Sequence, residues 1–182
     1  MGKSTVKRVF SSIRSIINLA IKEHGLEGNN GFLGTFIPDG LRETTRKPIP
    51  VEVIRDIQKT CMNMDDDLRW LIALLSDTGM RLGEAVGLLK SDIILDTDTP
   101  HLNLIPHPWR RLKTSGSERK IPLVGASLWS ARRVKQSDTA NQFAFPRYCN
   151  EQTHNSNSAS AALNKWLRTH APEGCVVHSF KH

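Results

Sequence analysis

The sequence is poor in the residues that staple small domains or hold them in a bilayer. Its 182 residues contain three cysteines, Cys61, Cys149 and Cys175. Being odd in number and widely spaced, they argue against a disulfide framework and point to a reducing compartment, the cytoplasm or, in a eukaryote, the nucleus. No Cys-x-x-Cys pair suggests structural zinc. No apolar run approaches the ~18–20 residues of a membrane helix, and residues 1–30 lack the uninterrupted apolar segment of a signal peptide. Aromatic residues are scarce at 6%, and Tyr148 is the only tyrosine. What is present is ordinary for a globular chain: 38% hydrophobic and 24% charged residues. That composition excludes a disordered or fibrous protein and leaves room for one sizeable core and a small appendage.

Charge is the first informative property. The net charge is +7, but it is unevenly spread: residues 1–47 carry +4, 48–108 carry −5, 109–135 carry +7 and 136–182 carry +1. One short segment therefore holds as much positive charge as the whole chain. A field so concentrated suits a polyanionic partner, nucleic acid above all, but charge alone equally fits a solvated basic face that binds nothing specific.

Apolar residues recur at helical spacing from Val6 to Ile21, with Ser4 or Thr5 able to cap the start and Gly25 placed to end the helix. Residues 28–47, rich in glycine and proline, read as a linker that supplies the helix no obvious partner. Helices are expected over 51–61, 68–76 and 82–90. The second is apolar nearly all round and therefore central, with Asp65, Asp66 and Asp67 at its positive end. Residues 101–105 alternate like a strand. Residues 110–114 and 118–123 read as a hairpin around Ser115–Ser117. Helical patterns return over 127–134 and 159–170. The order predicts an α+β fold, mainly α, with a small antiparallel sheet.

Four features then fall in order. Thr78-Gly79-Met80-Arg81-Leu82-Gly83-Glu84 delivers an arginine at a helix start. Lys113 follows on the expected hairpin, with Arg119-Lys120-Ile121-Pro122-Leu123 closing it. His178-Ser179-Phe180-Lys181-His182 comes last. This pattern, covering residues 48–182, resembles the catalytic domain of the tyrosine recombinases, the phage integrase family. The helix and linker before it are similar to the end of that family's core-binding domain. The resemblance implies three parts: 1–27, the last helix of a truncated N-terminal domain; 28–47, a linker; and 48–182, a helical catalytic domain of the DNA breaking–rejoining type, itself truncated.

The physical logic fits. A phosphodiester under attack spreads negative charge over its oxygens, which preorganised cations stabilise. Arg81 offers a planar fork suited to two phosphate oxygens, and Glu84 one turn on is placed to orient it, with Gly79 and Gly83 leaving the backbone open. By resemblance Lys113 is the general acid that protonates the leaving 5′ oxygen, and His178 assists proton transfer. Arg110, Arg111, Arg119, Lys120 and His182 are expected on DNA, with Arg132, Arg133 and Lys135 extending the patch; strand alternation sends some of these away.

Two departures stand out. Lys181 occupies the place where the family usually has a second arginine, keeping charge but losing the bidentate fork. The family's nucleophilic tyrosine follows the histidine motif, whereas Tyr148 precedes it and reads as a packed loop aromatic. The resemblance thus implies a recombinase that cleaves through a 3′-phosphotyrosyl bond without metal or nucleotide cofactor and works as a tetramer on double-stranded DNA. This chain itself is expected to be monomeric and not to cleave. The alternative is a non-catalytic DNA-binding relic or regulator. A zinc site at His178 and His182, or at His101 and His107, lacks a completing ligand.

Overall fold

The computed structural model describes residues 2–37, 47–113, 115–137 and 140–181. The chain divides into two compact units, Met1–Thr45 and Arg46–His182.

In the first unit, helix α1 spans Lys3–His24 and ends on Gly25, whose N–H reaches Ile21 O. Neither Ser4 nor Thr5 caps it; Gly2 holds the cap position. The segment after the helix is more than a linker. Asn30 is buried, and its Nδ2 donates to Arg14 O at 3.0 Å and to Asn18 Oδ1 at 2.7 Å. Arg14 Nε donates in return to Phe32 O at 2.6 Å, and the Phe10 and Phe32 rings lie 6.1 Å apart. One asparagine amide bonded to backbone and side chain lets a polar segment fold back where apolar periodicity offers no signal. Residues 38–46, also assigned to the linker, lie outside the described residues.

The second unit is built round α3 (Asp67–Thr78), which packs between α2 (Val51–Met64) and α5 (Gly125–Gln136). Leu68, Leu71, Ile72, Ala73, Leu74 and Leu75 are all buried, as an apolar-all-round helix requires. Asp66 caps its start by accepting from Arg69 N at 3.0 Å. Gly79 ends it at φ 57°, a left-handed conformation that costs glycine little, and so turns the chain directly into α4 (Leu82–Val86). That helix is shorter than its apolar pattern predicts. Gly87 stops it where the Arg110 side chain crosses: a Cβ there would stand 2.7 Å from Arg110 Cδ.

A 3₁₀ turn, Lys90–Asp92, leads into a three-stranded antiparallel sheet in the order β1 (Ile93–Ile94), β2 (His101–Leu104), β3 (Arg119–Pro122). Leu102 pairs with Ile93 on one side and Ile121 on the other. The expected hairpin is therefore corrected. The partner of β3 is β2, with Leu104 opposite Arg119, not residues 110–114. Arg110 instead closes a tight turn with His107, each N–H meeting the other's carbonyl at 3.0 Å, and sends its side chain inward. A segment committed to that turn cannot lie extended beside β3. Ser115–Ser117 forms a 3₁₀ turn. Helix α6 spans Ser156–Leu167, capped by Asn155, and a final 3₁₀ turn, Val177–Lys181, buries Val177 and Phe180 against α3 and α6.

Candidate functional site

Arg81 stands at the cap position of α4 with an extended backbone. Its own N–H donates to Glu84 Oε2 at 2.9 Å and its Nη1 to Glu84 Oε1 at 2.7 Å. Backbone and side chain of one arginine are thus fixed by one carboxylate. A second arginine arrives from the sheet: Arg119 Nη2 donates to Glu84 Oε2 at 3.0 Å. The Glu84 side chain is only 5% exposed, whereas Arg81 and Arg119 are 39% and 37% exposed. This is not a surface i,i+3 bridge but a buried anion holding two half-exposed guanidiniums. Burial alone would raise the Glu84 carboxyl. Hydrogen bonds from the Arg81 backbone and guanidinium, and from Arg119, outweigh it and hold the group below the ordinary glutamate value.

The strand pleat explains why Arg119 and not Lys120 takes part. Arg119 shares a face with buried Ile121, while Lys120 points to the opposite face, where it borders Thr97, Asp98, Thr99 and His101. Lys120 is therefore exposed but apart from the Glu84 cluster.

Arg110, expected on DNA, is turned inward instead. It is 0% exposed, and its Nη1 donates to Glu84 O at 3.0 Å while Nη2 reaches Ile105 O at 2.5 Å and Asp92 Oδ2 at 3.4 Å. Burial lowers its pKa, with Asp92 opposing the shift. Asp92 also meets His107 Nε2 at 3.0 Å, and Trp109 stacks on that imidazole at 4.9 Å. No local pattern marks Asp92 as a buried counter-ion, because its partner lies 18 residues away. Nor does one mark His154, which meets Trp109 O through Nδ1 at 2.6 Å and brings Nε2 to within 3.4 Å of where a Cβ on Gly83 would stand. Of the two glycines expected to leave space, only Gly83 is closely approached; Gly79 is needed for its φ.

His178 is exposed and lines a pocket of about 290 Å³ with Met80 and Leu82, the residues on either side of Arg81, and with Ser160, Asn164, Val176 and Val177. The structure thereby brings the arginine and histidine motifs, far apart in sequence, to one depression. Lys181 is exposed at the end of the last 3₁₀ turn, and Lys113 and Arg111 are exposed between Arg110 and β3. His182 lies outside the described residues. Arg133 of the extended patch is bound to Asp65 through Nε at 2.8 Å and through Nη2. Lys135 donates to Lys90 O. Tyr148 is buried in the core, 6% exposed. Among the described residues no three side chains form a metal-ligand cluster, and no helix is long and apolar enough to cross a membrane.

No model of a known protein family matches the sequence, and no curated protein is significantly similar to it. Solved structures are similar in fold. The Tn1549 transposon integrase in complex with circular intermediate DNA superposes with a TM-score of 0.69 at 16% identity, over 100% of this chain and 65% of that one. A variant of that integrase bound to transposon right-end DNA gives 0.67 at 14%, over 100% and 65%. The XerA recombinase gives 0.54 at 12%, over 100% and 66%. The fold is thus that of an integrase catalytic region, mainly helical with a small antiparallel sheet. The chain spans slightly less than two thirds of the length of the structures it resembles.

Proposed function

We propose that the chain binds double-stranded DNA as part of a tyrosine-type site-specific recombinase, whose complete form cleaves and rejoins DNA through a 3′-phosphotyrosyl intermediate. The observation that carries this reading is Glu84 holding Arg81 beside the pocket that His178 lines, on a fold shared with integrases solved on DNA. Preorganised guanidinium donors at a depression with an imidazole suit a phosphoryl group gaining charge in the transition state. In this reading Arg81 and Lys181 ligate the scissile phosphate, His178 assists proton transfer, and Lys113 protonates the leaving oxygen from its exposed loop. Arg111, Arg119, Lys120 and His182 add phosphate contacts that give affinity rather than sequence readout.

The same reading makes residues 1–27 the end of a core-binding domain, 28–47 the connection, and 48–182 the catalytic domain. It makes the complete protein a tetramer on DNA in the cytoplasm and this chain a monomer in solution, needing no metal or nucleotide. Buried Tyr148 is not available as nucleophile. The chain is therefore expected to hold DNA without forming a covalent adduct. A second reading, a DNA-binding regulator descended from an integrase, draws support from Lys181.

Fluorescence anisotropy on a labelled duplex tests the core of the proposal. Affinity should fall linearly in a log–log plot against salt, with a slope of about −0.9 per phosphate contacted. Absent or salt-insensitive binding would overturn it. A denaturing gel after incubation with a nicked suicide duplex should show no adduct; a covalent band would refute the exclusion of Tyr148.

A further inference from the structure

We infer that Arg119 is a phosphate ligand of the reaction centre, acting as the second guanidinium beside Arg81, with Glu84 as the positioning carboxylate for both. The inference rests on the DNA-recombinase reading above and assigns Arg119 a specific place within it, in contrast to the general backbone contacts of Arg111 and Lys120.

Three observations carry it. The first is geometric. Arg81 Nη1 and Arg119 Nη2 bond different oxygens of one carboxylate at 2.7 and 3.0 Å. Those two nitrogens therefore lie within about 8 Å of each other, a span that a phosphate with short charge-assisted bonds can bridge. The second is electrostatic. Two guanidiniums against one carboxylate leave a surplus of one positive charge, and both cations are more than a third exposed while the anion is buried. By contrast, the neighbouring Arg110 is buried against Asp92 and bonded to backbone carbonyls, so it offers nothing outward. The third is preorganisation. Arg119 Nη1 also donates to Ser117 O at 2.9 Å, so the guanidinium plane is fixed from two sides while most of its five donors have no partner among the described residues.

The chemistry gives this arrangement a purpose particular to this sequence. At position 181 lysine supplies a point charge, not a fork. A transition state that spreads charge over several phosphate oxygens is served best by donors fixed in advance, and Arg119 restores the second planar set that Lys181 cannot give. Because Glu84 orients both arginines, its loss should weaken both.

The test is a double-mutant cycle in duplex binding, with salt titration, on the whole chain. Arg119→Gln is expected to weaken binding about tenfold and Arg81→Gln similarly, each flattening the log–log salt slope by about 0.9. Since both arginines address one phosphate, the double variant should fall well short of the hundredfold loss that independent contacts would give, and its slope should match that of either single variant. Lys120→Gln, on the opposite face of β3, is the comparison for a general contact and should combine multiplicatively with Arg81→Gln. Thermal unfolding checks that each variant is folded. If Arg119→Gln does not fold, Arg119→Lys carries the test: charge is kept, the fork is lost, and affinity should fall several-fold with the slope unchanged. A wild-type chain that fails to bind DNA defeats the recombinase reading itself. Salt-sensitive wild-type binding combined with unchanged affinity in Arg119→Gln or Arg119→Lys, or a fully multiplicative cycle, overturns only the role of Arg119.

Discussion

The guanidinium of Arg110 donates to the main-chain oxygen of Glu84 at 3.0 Å, from the turn that begins the Lys113 loop to the helix that carries Arg81. The residue whose side chain holds two outward arginines is thus itself held from beneath by a third, inward one. Asp92 balances that buried charge, and Gly87 provides the space. The positive segment of the sequence is therefore split by the fold into cations that face solvent and one that supports them.

Removing Arg110 should damage the fold and not merely a surface. Arg110→Met leaves Asp92 buried without its guanidinium partner, and breaking such a pair costs about 3–5 kcal/mol. Gly87→Ala should cost about 1–3 kcal/mol, because its methyl would overlap a fixed side chain. Urea unfolding monitored by circular dichroism measures both. A loss under 1 kcal/mol for Arg110→Met would show the network to be dispensable.

Glu84 should contribute to stability in a pH-dependent way. Its carboxyl titrates below the ordinary glutamate value in the folded chain. Its contribution is therefore fully present above the unfolded value of about 4.3 and is lost as pH falls through the depressed folded value. Glu84→Gln is expected to lower stability by about 1–3 kcal/mol at neutral pH. The gap from the wild type should narrow as pH falls below the unfolded value and close once pH has passed the depressed folded value. Unfolding curves at a series of pH values check this, and a gap that persisted or widened in acid would contradict the assignment.

Lys181→Arg should tighten duplex binding several-fold by adding a bidentate fork at an exposed position. Anisotropy at fixed salt is sufficient to see it. Weaker binding by a folded Lys181→Arg variant would show that the site is shaped for the smaller ammonium.

Thiol chemistry should discriminate the three cysteines. Burial raises the Cys61 thiol to about 12 and the Cys149 thiol to about 11, whereas Cys175 is only half-buried. Native-state alkylation followed by mass spectrometry is expected to label Cys175 first. The other two should react only when the chain unfolds. Early labelling of Cys61 would mean that α2 opens from α3 without global unfolding.

Local signals in the sequence were decisive where structure is local. The all-round apolar pattern of α3, the aspartates at its start and the Gly79 stop are set by side chains within one or two turns, and each appears where the sequence puts it; which aspartate caps the helix, Asp66, came from the structure. The link between Arg81 and Glu84 was legible for the same reason, since three residues on a helix start bring them together. Tertiary structure decided the rest. Whether Arg110 or Arg119 turns outward depends on partners 26 and 35 residues away, and no periodicity encodes those distances. The strand partner of β3 was misread for a related reason: the turn chemistry of Ser115–Ser117 invites a hairpin, but burial of Arg110 removes the first arm. Composition alone decides which charges this protein has; only the convergence of Arg110 and Arg119 on Glu84, one from below and one from the sheet, determined which charge is surrendered to the core and which stays exposed.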